Sequence, residues 1–297
     1  MASGKMHEDE VDIDTSLVGE LLVAQFPHFS ELPVSPVPST GTVNAIYRLG
    51  TELCIRMPRM KKWSDDLVKE IDWLPKLARH LSLEIPEPVA NGKPGCGYAF
   101  DWAIYRWIDG ETFASELVSD QNQAATDLAL FIKGLQRVDP TCSPPSGRRP
   151  LIELDKVTRA AINALRGVLD TDGVMTAWER ALRAPAWDEN AVWIHCDLLP
   201  PNLLVDSRRL RAVIDFGAAG VGDPAQDVTP AWSVFEEGTR GVFRDVLDVD
   251  DATWARARGY ALHQALLIIP YYSETNPEFA AMATRTVNEV LEDVRSD

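Results

Sequence analysis

Residues 192–227 read VWIHCDLLPPNLLVDSRRLRAVIDFGAAGVGDPAQD, and the order of polar groups in this stretch decides the fold. At its head His195, Cys196 and Asp197 stand side by side, a grouping open to three readings: a thiol nucleophile, a metal site, or a loop that presents a carboxylate. VWI before His195 has the apolar character of a short buried strand. Pro200 and Pro201 keep LLPPN from being helix. LLVD and LRAVID, separated by the polar SRR, form a hairpin. His195, Asp197 and Asn202 therefore sit on a loop. Asp215 arrives at the end of the hairpin's second strand and runs directly into Phe216 and Gly217, so two carboxylates and an amide converge.

The thiol reading fails on direction. A nucleophilic cysteine needs a base within hydrogen-bond reach, whereas neighbouring side chains on an extended segment point to opposite sides. A His-Cys-Asp metal site fails for the same reason, and no second soft-ligand cluster completes one. Cys196 is expected to pack and His195 to brace the loop.

Two carboxylates and an amide have a chemical logic in phosphoryl transfer. One carboxylate orients the attacking hydroxyl and accepts its proton, while an amide oxygen and a second carboxylate hold magnesium on nucleotide phosphates. The order H-x-D-x-x-x-x-N followed by D-F-G matches the catalytic and metal loops of kinases, with Cys196 where protein kinases have arginine.

The rest of the chain is compatible with such a machine. The 297 residues are 45% hydrophobic and 25% charged, enough for one large or two modest domains. Four scattered cysteines, Cys54, Cys96, Cys142 and Cys196, contain no CxxC pair and suit a reducing compartment. No apolar run approaches a membrane span, and the polar, acidic start is unlike a signal peptide, so a cytoplasmic protein is expected. The net charge of −16 argues against nucleic acid and favours a cationic partner.

Short β-like runs, VNAIYRLG, ELCIRMP, EPVANG and YAFDWAIYRWI, follow an opening helix TSLVGELLVAQF capped by Asp14 or Thr15. One crossing helix, SDDLVKEIDWLPKLARHL, is expected with Ser64 as its cap and Leu67, Ile71 and Leu74 on its apolar face. From about Glu111 the pattern turns helical, with Leu128, Phe131, Ile132 and Leu135 on one face. DPTCSPPSGRRP interrupts it as a surface loop.

Read together, HCDLLPPNLLVD and AVIDFGAAGVGDPAQD resemble the H-G-D-x-x-x-x-N loop and the I-D-F/W-x-x-x-x-x-G-D-P-x-x-D segment of the aminoglycoside phosphotransferase family, small-molecule kinases with a protein-kinase-like fold. The resemblance extends over nearly the whole chain. It implies an α+β, two-lobed fold: an N-terminal β-sheet lobe with one crossing helix over residues 1–106, and a mainly helical C-terminal lobe over 107–297. It implies that Asp197 is the catalytic base, that Asn202 and Asp215 are magnesium ligands, and that Asp227 buttresses the loop alongside His195, with Asp223 structural.

On the N-terminal side the resemblance is to PSTGTVNAIYRLG as the nucleotide-covering loop, where Ser39, Thr40 and Gly41 lay backbone N–H groups over phosphate oxygens. The family's phosphate-binding lysine is replaced by Arg56, whose guanidinium holds phosphate bidentately, and Glu70 is its expected partner. Backbone near Tyr105 and Trp107 is implied to bind the nucleotide base.

The implied activity is ATP- or GTP-dependent transfer, with Mg2+, to a hydroxyl of a cationic antibiotic, foremost an aminoglycoside. A macrolide, peptide antibiotic or metabolite acceptor is the enzymic alternative, and a pseudokinase the non-catalytic one. Glu236, Glu237, Asp248, Asp250, Asp251 and Glu274 are candidates for binding the acceptor's ammonium groups. A monomer or weak dimer with no nucleic-acid or membrane partner is expected.

Overall fold

The computed structural model describes residues 11–38, 43–187 and 190–296, and the chain divides into two units. The first takes the chain up to Arg79, then Ile85–Asp109, and the three residues Asp215–Gly217. The second takes His80–Glu84, Gly110–Ile214 and everything from Ala218 onward.

In the first unit, helix α1 (Thr15–Gln25) precedes an antiparallel sheet of β1 (Val34–Pro36), β2 (Asn44–Leu49), β3 (Leu53–Pro58), β5 (Trp102–Arg106) and β4 (Pro88–Gly92), in that spatial order. Asp14 caps α1, accepting the Leu17 N–H at 2.8 Å. Val18, Leu21 and Leu22 of α1 bury against Tyr47, Leu49, Ile55 and Trp102 of the sheet. Gly92 is required by that packing, because a Cβ there would fall within the Trp102 ring. Helix α2 (Lys61–Leu77) packs against β3, β4 and β5. It begins earlier than expected: Met60 is its N-cap, and Ser64 lies inside the helix as the first member of a buried line through Leu67, Glu70, Leu74 and Leu77. Glu70 takes the buried place expected of Ile71 because Arg56 on β3 supplies its counter-charge.

The second unit contains α3 (Gln121–Gln136), α4 (Leu151–Ala164), α5 (Thr171–Arg183), α6 (Pro230–Ser233), α7 (Glu237–Leu247), α8 (Asp251–Tyr272) and α9 (Pro277–Ser296). The expected hairpin forms as β8 (Leu203–Asp206) and β9 (Arg209–Val213). Helix does not run uninterrupted from Glu111: β6 (Glu111–Thr112) first adds to that hairpin through Glu111 opposite Val205. VWI is β7 (Val192–Ile194), paired antiparallel with β10 (Gly220–Gly222). Helix α8 packs on α4, α5 and α9. No helix among the described residues is long and apolar enough to cross a membrane.

Asp293 on α9 ties this bundle together. It accepts from Trp232 Nε1 at 3.1 Å, Trp254 Nε1 at 3.3 Å, Arg258 Nε at 2.7 Å and Arg240 Nη1 at 3.4 Å. Removing this largely enclosed carboxylate, 17% exposed, strands the cations around it. Asp293→Ala is therefore expected to lower unfolding stability by about 3 kcal/mol, read from the urea midpoint. A variant within about 0.5 kcal/mol of wild type would mean that apolar packing alone holds α9.

Candidate phosphoryl-transfer residues

The loop after β7 is built on a buried carboxylate. Asp227 has no solvent exposure, and its two oxygens accept the consecutive N–H groups of His195 at 2.7 Å and Cys196 at 2.8 Å. Burial pushes its pKa up to about 7, against the lowering effect of those two N–H groups. Two consecutive amides aimed at one carboxylate turn the chain, and Cys196 adopts the left-handed φ of 73°. The segment is thus not extended at Cys196. The thiol is nevertheless buried at 3% exposure, its pKa is pushed up to about 12 by burial, and its Sγ donates to Gln226.

Asp197 follows this turn. Its Oδ2 accepts the Asn202 amide nitrogen at 2.9 Å, and the same nitrogen donates to the Asp197 carbonyl at 2.8 Å. Its Oδ1 accepts from Gln264 of α8 at 2.6 Å and from Arg148 Nη2 at 3.3 Å. The five-residue step from Asp197 to Asn202 closes through a 3-10 turn over Pro200–Asn202. This corrects the expectation that LLPPN holds no helical turn, since proline tolerates the first positions of one. Because the Asn202 nitrogen is committed to Asp197, its amide oxygen is the atom left to serve a hard cation. The following Ile214 N–H bonds the Asn202 carbonyl at 2.9 Å.

The first unit carries the second set. Arg56 Nη1 pairs with Glu70 Oε1 at 2.5 Å, and Arg56 Nη2 reaches Asp215 Oδ1 at 3.3 Å. Burial works against the guanidinium charge, but Glu70, then Tyr105 and Asp215, outweigh it and push the Arg56 pKa up. Asp215 adopts φ of 67°, and Lys69 Nζ donates to the Gly217 carbonyl at 2.6 Å, anchoring the segment. The Asp215 side chain keeps 44% of its exposure, so a carboxylate oxygen remains for a cation.

The other expected residues divide. Tyr105 is buried, with the Arg56 guanidinium 5.4 Å from its ring. The Trp107 N–H is bonded to the Glu52 carbonyl at 2.8 Å. Ser39, Thr40 and Gly41 lie outside the described residues. The acidic candidates are exposed and dispersed. Glu236 and Glu237 open α7 and Asp248 closes it, 11 residues or about 16 Å along the axis. Asp250 caps α8, Asp251 pairs with Arg244, and Glu274 follows that helix's far end.

Arg148 and Gln264, which both touch Asp197, were not anticipated. Neither carries a local signal: SGRRP reads as a surface loop, and a glutamine inside a helix is commonplace. The loop bearing Arg148 is pinned by Gly147 N–H to the Ala218 carbonyl at 2.9 Å and Ser146 N–H to the Val221 carbonyl at 3.0 Å.

The chain is similar to several solved structures. The GDP complex of wild-type aminoglycoside 2'-phosphotransferase-IIIa aligns with a TM-score of 0.76 at 19% identity, covering 95% of this chain and all of that one. A complex of APH(2")-IIia with GDP and kanamycin aligns at 0.73 and 20% identity, over 94% and 98% of the two chains. Macrolide 2'-phosphotransferase type I aligns at 0.64 and 18% identity, over 92% and 97%. These establish a fold shared with kinases of small molecules. No curated protein matches the sequence. A family model does, over residues 35–260; spanning both the Arg56 and Asp197 sets, that match means that the chain belongs to the phosphotransferase enzyme family.

Proposed function

We propose that this chain transfers the terminal phosphoryl group of magnesium-bound ATP or GTP to a hydroxyl of an antibiotic-type small molecule. The observation that carries the reading is the Asp197 carboxylate, fixed by Asn202 and Gln264 on a loop braced from behind by Asp227. In this reading residues 1–106 bind nucleotide and residues 107–297 bind acceptor. Asp197 orients the hydroxyl and takes its proton, while the Asn202 and Asp215 oxygens hold magnesium, an ion that favours few protein ligands plus phosphate. Arg56, set by Glu70, holds phosphate oxygens in place of a lysine.

An aminoglycoside acceptor is supported by the net charge of −16 and by the kanamycin-bound relative. A macrolide acceptor is the second reading. It is favoured by the macrolide-directed relative, which aligns over 92% of this chain.

Asp197→Ala is expected to lower kcat by about 10^3 or more while nucleotide affinity stays within twofold or so, since the residue acts on the acceptor. Near-normal turnover would remove Asp197 as the base. Asp215→Ala is expected to abolish the magnesium-dependent part of nucleotide binding in calorimetry; unchanged binding with magnesium present would contradict its role as a ligand. For the acceptor, phosphate transfer is measured to kanamycin and to erythromycin at two salt concentrations. A polycation drawn by long-range field loses kcat/KM as salt rises, because exposed charges are screened beyond about 8 Å. Transfer to erythromycin alone, insensitive to salt, would decide for the second reading.

A further inference from the structure

We propose that Arg148 is a catalytic residue of this transfer, placed to bear on the negative charge of the phosphoryl group as that group passes to the hydroxyl held by Asp197. The proposal rests on the phosphotransferase reading. In the step concerned, the acceptor oxygen forms a bond to phosphorus as the bond from phosphorus to the bridging oxygen breaks. The electron pair of the broken bond leaves with the nucleoside diphosphate, and the hydroxyl proton passes to Asp197.

Asp197 does not need Arg148 to be held. Asn202 donates to one of its oxygens at 2.9 Å and Gln264 to the other at 2.6 Å, whereas Arg148 shares the second oxygen at a longer 3.3 Å. Arg148 Nε rests on the Cys196 carbonyl at 3.3 Å, which fixes the plane of the guanidinium, and its Nη1 has no protein acceptor among the described residues. A planar cation with an unspent donor is thereby parked on the edge of the base. A hydroxyl that Asp197 can deprotonate lies about 3 Å from the carboxylate, and the phosphorus it attacks lies about 3–3.5 Å beyond. A guanidinium touching the same carboxylate reaches the oxygens of that phosphoryl group.

The catalytic loop itself supplies no cation. Leu198, Leu199, Pro200 and Pro201 fill the interval between Asp197 and Asn202. His263, the residue before Gln264, is bonded to Thr158 at 2.8 Å and kept neutral, its pKa lowered to about 4 by burial first and by Arg148 second. Arg148 arrives instead from a proline- and glycine-rich loop pinned to β10, so its position is set by backbone bonds independent of Asp197. That is the placement expected of a preorganised charge aimed at a transition state rather than of a surface ion pair.

The test uses the full chain as wild type, Arg148→Gln and Arg148→Lys. Calorimetry measures binding of magnesium with ADP and with GDP, each alone and with fluoroaluminate, which mimics the charge of the transferring group. Nucleotide hydrolysis, with water as acceptor, is followed in parallel. In wild type, fluoroaluminate should tighten diphosphate binding. Arg148→Gln should lose about tenfold or more of that gain while diphosphate affinity and unfolding midpoint stay unchanged, hydrolysis should fall by about 10^3, and Arg148→Lys should recover part of both. An unchanged fluoroaluminate gain in Arg148→Gln, or a loss matched by equal loss of diphosphate affinity and stability, would overturn the proposal. Failure of wild type to bind either diphosphate would overturn the phosphotransferase reading itself.

Discussion

A single carboxylate without access to water sets the geometry on which the second unit depends. Asp227 takes two consecutive backbone N–H groups, and no extended strand can present two adjacent amides to one point. The chain must turn, which it does at the left-handed Cys196, and the turn delivers Asp197. The support of Asp227 can be followed further back. It lies on the turn Pro224–Val228, capped by Asp223, which accepts the Ala225 N–H at 2.9 Å. Asp223 is in turn gripped by Arg256 of α8 at 2.8 and 3.1 Å. A buried carboxylate forced by its surroundings into a charged or shared-proton state is costly. The two amides offset part of that cost, and the rest is carried by packing of α8, which also brings Gln264 to Asp197.

The first unit solves a related problem with a buried ion pair. Arg56 sits on a strand whose neighbours are apolar, and a guanidinium there is tolerated only with a partner. Glu70 supplies it from α2, and the residual donor capacity of Arg56 goes to Asp215. Replacing such a pair by apolar residues is often neutral for stability, so its presence points to the remaining donors as its purpose. Lysine in that position would offer a point charge. Arginine offers a fork that spans Glu70 and Asp215 at once, which accounts for a departure from the family pattern without loss of the arrangement.

Much of this was legible in the sequence. The hairpin, four strands of the N-terminal sheet and the loop bearing Asp197 and Asn202 follow from local signals: prolines, alternation and the polar SRR turn; the three-residue β1 (Val34–Pro36), which pairs with β2, is too short to show alternation. The pairing of Arg56 with Glu70 followed from burial, since a charge on an apolar strand demands a counter-charge. What could not be read is what depends on long-range placement. Ser64 resembles a helix cap, yet the helix extends past it because Met60 is extended and the 64–67–70–74–77 line fits the sheet. Glu111 and Thr112 look helical by composition but are captured by β8. Gln264 reaches Asp197 across 67 positions, and no local pattern marks it.

Net charge and charge placement are separate quantities in this protein. The chain is strongly acidic, yet the carboxylates of the Asp197 loop and its support are already engaged: Asp197 by Arg148 and Gln264, Asp223 by Arg256, and Asp227 by two amides. The buried arginines Arg56, Arg240, Arg256 and Arg258 likewise neutralise acidic partners inside the fold. The excess negative charge therefore resides on exposed groups such as Glu236, Glu237, Asp248 and Glu274. Exposed charges act at a distance, raising the encounter rate of a cation and weakening with salt, but they do not fix its orientation. On the proposed reading, a hydroxyl over Asp197 is oriented by neutral donors such as Gln264, which already bonds that carboxylate at 2.6 Å. On that reading, attraction and positioning of an acceptor fall to different residues of the second unit, and only the positioning residues touch Asp197.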